Sequence, residues 1–140
     1  RQMCIRDRHV VVETMRGHNL GRLIYQGHAL PNTGVPGNIK GYSKERVIHS
    51  PCAGVCHNVK KITDILEKGE IIAYIDKTPV YASMSGLLRG LIQDGYNVTS
   101  GFKIADIDPR VDEYQNCFTI SDKARCIGGG VLEAILHGLS

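Results

Sequence analysis

Side chains able to do chemistry fall into four groups along the 140-residue chain. Arg16, His18 and Arg22 lie within seven residues just after a β-branched run, a place from which α/β folds often present functional groups. Asn32 and Thr33 sit in a stretch rich in glycine and proline. Arg89, Asp108 and Arg110 border an alternating apolar segment, and Cys52-Ala53-Gly54-Val55-Cys56-His57 sets two thiols beside an imidazole. Guanidinium and imidazole groups close together suit an oxyanion. Arg16, His18, Arg22, Asn32, Thr33, Arg89, Asp108 and Arg110 are therefore the candidate anion-binding residues, with Arg16 and Arg22 foremost. For any one of them, a solvated charge or local ion pair worth under about 1 kcal/mol is the plainer account.

The two thiols are poorly spaced for a shared bond. Four residues of extended chain separate Cys52 from Cys56 by about 13 Å. A disulfide needs Cα atoms within about 7 Å, and zinc needs its sulfurs at about 2.3 Å. Buried structural thiols and no metal site are expected, with Cys52 kept as the one thiol candidate. Cys117 and Cys126 are unremarkable alone. The chain holds no G-x-S-x-G, no G-x-x-x-x-G-K-[ST] and no G-x-G-x-x-G, so no catalytic residue is nominated.

The elements that must position these groups are organised by a repeat. Shifting the chain by 32 residues aligns Ser50–Asp76 with Ala82–Asp108, with six identities in 27 positions and no gap. The identities are Gly54/Gly86, Gly69/Gly101, Ile72/Ile104, Ala73/Ala105, Ile75/Ile107 and Asp76/Asp108. Such self-similarity marks a duplicated supersecondary unit, and two copies should close on each other. Gly54 and Gly86 sit inside strand patterns, where glycine marks a bulge, a bend or a close backbone approach. Lys68-Gly69 and Ser100-Gly101 are turn dipeptides before alternating strands. The pattern P-x-x-G…G-x-x-I-A-x-I-D, repeated, resembles the biotinyl/lipoyl carrier, or barrel-sandwich hybrid, fold over about 60 residues. That resemblance implies a mainly β, quasi-two-fold domain with flanking α elements. It also directs attention to Lys77 at the junction of the halves, where no Met adjoins it and a carrier lysine is disfavoured.

Outside residues 49–108 the chain is less regular. Residues 1–8 have no helical or strand period and resemble translated adapter sequence, which leaves 14 basic and 13 acidic residues for the rest. Residues 9–48 read as the end of an incomplete α/β part, with a buried strand over 9–14, an ambiguous helix or loop over 15–26, and a Gly/Pro loop. Residues 109–140 read as a linker followed by a helix capped by Ser121, with Gly128–Gly130 either breaking it or packing backbone closely against a neighbour.

Composition narrows the function classes. A 42% hydrophobic chain can bury a core, and no apolar run approaches the roughly 20 residues of a membrane helix. A net charge of +3 with no tryptophan makes a nucleic-acid groove or base-stacking platform a poor fit. A cytoplasmic domain binding neither nucleic acid nor membrane is expected.

Taken together, VVVETMRGHNLGRLI, ALPNTGVPG, ERVIHSPCAGV, GLLRGLIQDGYNV, GFKIADIDPR and TISDKARCIGGGVLEAIL resemble the C-terminal half of the accessory proteins of the selenium-dependent molybdenum hydroxylase system. The resemblance implies a fragment of a larger maturation factor and a non-enzymatic β module. Its partner would be a molybdenum hydroxylase or that enzyme's maturation machinery. It implies no firmly bound cofactor, only transient contact with molybdenum cofactor or a selenium species. Two alternatives stand beside it: a selenium- or sulfur-handling enzyme using the Cys52 thiolate, and a lipoyl- or biotin-like carrier using Lys77.

Overall fold

A computed structural model of the chain describes residues 9–33 and 37–138, so the adapter-like residues 1–8 lie outside it. The chain divides into two compact units, Val35–Phe118 and the pair of terminal segments Arg1–Gly34 with Thr119–Ser140.

The central unit is built from the repeat. Its strands are β3 (Val47–His49), β4 (Gly54–Asn58), β5 (Ile65–Leu66), β6 (Ile71–Ile75), β7 (Thr78–Tyr81), β8 (Gly86–Leu91), β9 (Asn97–Val98) and β10 (Lys103–Asp108). They form two four-stranded antiparallel sheets, ordered β3-β10-β8-β5 and β7-β6-β4-β9. A shift of 32 residues carries β4, β5 and β6 onto β8, β9 and β10, and β3 onto β7. Each sheet is therefore the counterpart of the other. Backbone bonds repeat the relation: Gly69 N–H donates to the Ala82 carbonyl and Gly101 N–H to the Ser50 carbonyl, both at 2.8 Å. Leu88 N–H donates to Asp64 and Cys56 N–H to Tyr96, both at 2.9 Å.

Ile72, Ile75, Leu88, Ile104 and Ile107 join one core to which both sheets contribute, register shifts in β6 and β10 bringing residues three apart to the same side. Complete burial of such a side chain contributes roughly 1.5–3 kcal/mol, so this unit has its own source of stability. The glycines inside the strands mark close approach. A Cβ on Gly54 would strike the Asp76 carboxylate, and one on Gly86 would strike the Asp108 carbonyl.

The expected barrel-sandwich hybrid is not what forms. Among the described residues the strands belong to three separate sheets, and none closes into a barrel. The sheet edges explain this. β5 and β9 are two residues long, and β3 is three, too short to carry a hydrogen-bonded ladder from one sheet to the next. The fold is mainly β with a C-terminal helix.

The terminal unit holds the third sheet, a ribbon of β1 (Val11–Val12) and β2 (Leu23–Ile24), together with α1 (Asp122–Gly138). The strand expected over 9–14 shrinks to two half-buried residues, and residues 15–22 form turns rather than a helix. Ser121 caps α1, its Oγ accepting from Ala124 N–H at 3.1 Å. The three glycines do not break the helix. Gly130 is buried against the Gly21 carbonyl, and a Cβ there would also come within 3.1 Å of Val12 Cγ1. Residues 111–118 form 3-10 turns after β10. No described helix is long and apolar enough to cross a membrane.

Candidate functional site

Two constellations gather the candidate residues, one in each unit. In the terminal unit, the turn after β1 is pinned by backbone bonds. Gly21 N–H donates to the Glu13 carbonyl at 2.8 Å, and Glu13 N–H donates to the Arg22 carbonyl at 2.9 Å. Positive φ at Gly17 and Gly21 lets the chain reverse so tightly. The Glu13 side chain, 3% exposed, accepts from Met15 N–H at 2.7 Å and Leu30 N–H at 2.9 Å. Those bonds hold its carboxyl below the usual range.

The pinned turn presents His18, Asn19 and Arg22 to a surface cleft of about 590 Å³, whose other wall is Cys126, Gly130 and Glu133 of α1. Arg22 Nη1 donates to Asn19 Oδ1 at 3.2 Å. The Cys126 thiol donates to the Leu20 carbonyl at 3.1 Å. Arg16 stands apart from the cleft lining. Its guanidinium makes a bidentate pair with Asp122 in the first turn of α1, at 2.6 and 2.9 Å. Bonding to Arg16 holds the Asp122 carboxyl well below the usual range. Arg16 thus anchors the helix start. Asn32 and Thr33 are exposed on the following loop and do not line the cleft.

In the central unit, Arg89, Asp108 and Arg110 come together. Asp108 is fully buried. Arg89 Nη1 donates to its Oδ2 at 2.8 Å, Arg110 Nη2 to the same oxygen at 2.8 Å, and Arg110 Nε and N–H to Oδ1, each at 3.0 Å. Burial alone would push the Asp108 carboxyl up, but the bonds from Arg110 and Arg89 outweigh it and hold it far below the usual range. Arg110 also pairs with Glu113 at 3.1 Å. Two arginines facing two carboxylates make a neutral, internally bonded knot that ties the linker onto β10. It presents no surplus positive charge to an anion.

The thiols divide by burial. Cys56 is buried, its Sγ 3.4 Å from Asn58 Oδ1, and burial pushes its pKa up. Cys52 is half-buried against the core. No disulfide joins the described cysteines, and no group of three or more His, Cys, Asp or Glu residues is placed to hold a metal among the described residues. Several residues of these constellations carry no local sequence signal. Glu13 sits at the end of an apolar run, and buried Arg46 reaches the Ile107 carbonyl and Asp106. Asn19, Cys126 and Glu133 join the cleft only because distant segments meet. A polar residue closing a hydrophobic run was the one available cue, and it applied to Glu13 alone.

No family model matches the chain. It is 50% identical over 131 residues to "Uncharacterized protein YqeB" of Escherichia coli strain K12, a match covering 94% of this chain and 24% of that protein. The chain therefore spans about a quarter of the length of this curated relative. Two solved structures show weaker likeness. One is a succinylglutamate desuccinylase/aspartoacylase from Rhodobacter sphaeroides, at 18% identity and a TM-score of 0.41, over 46% of this chain and 22% of that one. The other is the ectoine utilization protein EutE (DoeB) from Ruegeria pomeroyi, at 17% identity and a TM-score of 0.42, over 61% and 27%. These scores are too low to carry an inference about function.

The comparisons overturn the resemblance to accessory proteins of the selenium-dependent molybdenum hydroxylase system, since none of the matched proteins bears any such link. The maturation role, the Cys52 thiolate alternative and the Lys77 carrier alternative go with it. The physical reason lies in the quoted segments. GLLRGLIQDGYNV and GFKIADIDPR are strand, turn and core residues, so they specify a backbone rather than a chemistry. Lys77 occupies a tight turn between β6 and β7, beside Asp76 at φ 52°.

Proposed function

We propose that this chain contributes an oxyanion-binding site in which Arg22, His18 and Asn19 hold a small molecule bearing a carboxylate or phosphate. The observation that supports it is convergence: three potential N–H donors from one pinned turn open onto a single cleft. The bond Arg22 makes there is to a neutral amide oxygen at 3.2 Å. An ionised oxygen makes a shorter bond of roughly twice the strength, so an incoming anion competes well for that guanidinium. Arg16, committed to Asp122, serves to position the helix wall. Glu133 on that wall disfavours ligands of high negative charge.

Isothermal titration with inorganic phosphate and with acetate, at low ionic strength, tests the assignment. Loss of one charge-assisted contact, about 1.5–3 kcal/mol, predicts that Arg22→Ala weakens binding about 10-fold or more. Glu133→Gln should tighten it, and added salt should weaken it, as for any exposed charge pair. Binding that is unchanged in Arg22→Ala, or absent in the wild type, removes the proposal.

A further inference from the structure

The terminal unit differs from the central one in what it buries. Every fully buried hydrophobic side chain among the described residues lies between Ile48 and Ile107. Among its described residues the terminal unit buries Glu13, Gly21 and Gly130, and no apolar side chain completely. Its sheet is a two-stranded ribbon of two-residue strands, an assembly that is marginal by itself in water. Meanwhile α1 presents Val131, Leu132, Ile135 and Leu136 outward, with exposures of 44%, 57%, 54% and 61%. Spacings of four pair Val131 with Ile135 and Leu132 with Leu136, which makes a continuous apolar stripe. The opposite face of the helix, at Gly130, is already seated on the ribbon. With one face seated on the ribbon, a second, apolar stripe left in water is a surface that calls for cover.

We infer that this stripe is a docking surface for further polypeptide of the same chain, supplied by the part of a longer protein to which the E. coli relative devotes the other three quarters of its length. The occupant is an apolar sheet or helix face that covers Val131, Leu132, Ile135 and Leu136 and turns the ribbon-and-helix unit into a complete α/β layer. The inference is independent of the oxyanion cleft, whose helix wall is Cys126, Gly130 and Glu133.

The test is the alkylation rate of Leu136→Cys in a Cys126→Ser background. It is measured in the 140-residue chain and in a chimera where this chain replaces the matched 131 residues of the E. coli relative. The thiol should react freely in the short chain and at least about ten-fold more slowly in the chimera, the order of protection expected when a residue enters a stable interface. Equal rates in a folded chimera overturn the inference. Protection already present in the short chain also overturns it: if it depends on concentration the occupant is a second copy, and if not, it is the chain's own β unit. Should the chimera fail to fold, the same cysteine at the aligned position of the intact relative decides between the same outcomes.

Discussion

Asp76 and Asp108 occupy the same position in the two copies of the repeat, yet their surroundings are opposite. Each lies beside a glycine that cannot accept a side chain, Gly54 in one copy and Gly86 in the other. Asp76 sits in an exposed turn, where its Oδ1 accepts one bond from Val55 N–H at 3.0 Å. Asp108 is fully buried and takes two arginines. The residue aligned with Arg89 is His57, which is exposed. Duplication has kept what the backbone requires, a glycine facing the end of a strand, while the side-chain chemistry has diverged. The divergence comes from the path of the chain beyond each aspartate. After Asp76 it reverses at once into β7, whereas after Asp108 it continues through Pro109 and folds Arg110 back onto the carboxylate.

The largest expected effect from this contrast belongs to Gly86→Ala. Its Cβ would strike the Asp108 carbonyl and approach Ile107 Cγ2 to 2.8 Å, with φ at 157°. Overpacking against backbone, added to strained φ, should destabilise by about 3 kcal/mol or more, read from the urea midpoint. Asp108→Asn comes next. Leaving two partly buried guanidinium groups without their charge partner should cost about 2–4 kcal/mol. Its pH dependence has a definite sign. The folded carboxyl is held below its unfolded value of about 3.9, so the stabilisation is complete above about pH 5 and is lost as pH falls through the folded value. The gap between wild type and Asp108→Asn should therefore be widest near neutrality and narrow in acid; a gap that widens in acid contradicts the assignment.

Gly54→Ala should be milder, about 1–3 kcal/mol, because the first obstacle is the exposed Asp76 carboxylate, which can swing away, rather than a carbonyl. Asp76→Asn is the smallest change. The amide oxygen can keep the bond from Val55 N–H, so the shift should stay within about 0.5 kcal/mol. If Asp76→Asn and Asp108→Asn prove equal, the proposed divergence between the copies is wrong.

Much of this contrast was legible in the chain itself, but only its backbone half. The 32-residue shift located the paired glycines, the turns at Gly69 and Gly101, and the equivalence of the two aspartates, because each reflects a local conformational demand. The cap at Ser121 was visible for the same reason, and close packing was one of the two readings of Gly128–Gly130. The partners of the charged residues were not. Arg16 meets Asp122 across 106 positions, and the cleft joins residues 18–22 to residues 126–133. Such contacts depend on how α1 is seated on the ribbon, and no period or spacing records that. The family resemblance failed on related grounds, since its motifs were mostly glycines and core residues. The barrel was likewise expected from a pattern of strands that is silent about how long the edge strands are.

The oxyanion cleft remains the central functional claim, and amide chemical-shift mapping tests it most directly. On titration with inorganic phosphate, saturable shifts should appear at residues 18–22 and around Cys126 and Glu133, and should need about 10-fold or more phosphate in Arg22→Ala. Shifts centred instead on Arg89, Asp108 and Arg110, or scattered over surface lysines with no saturation, would contradict the account.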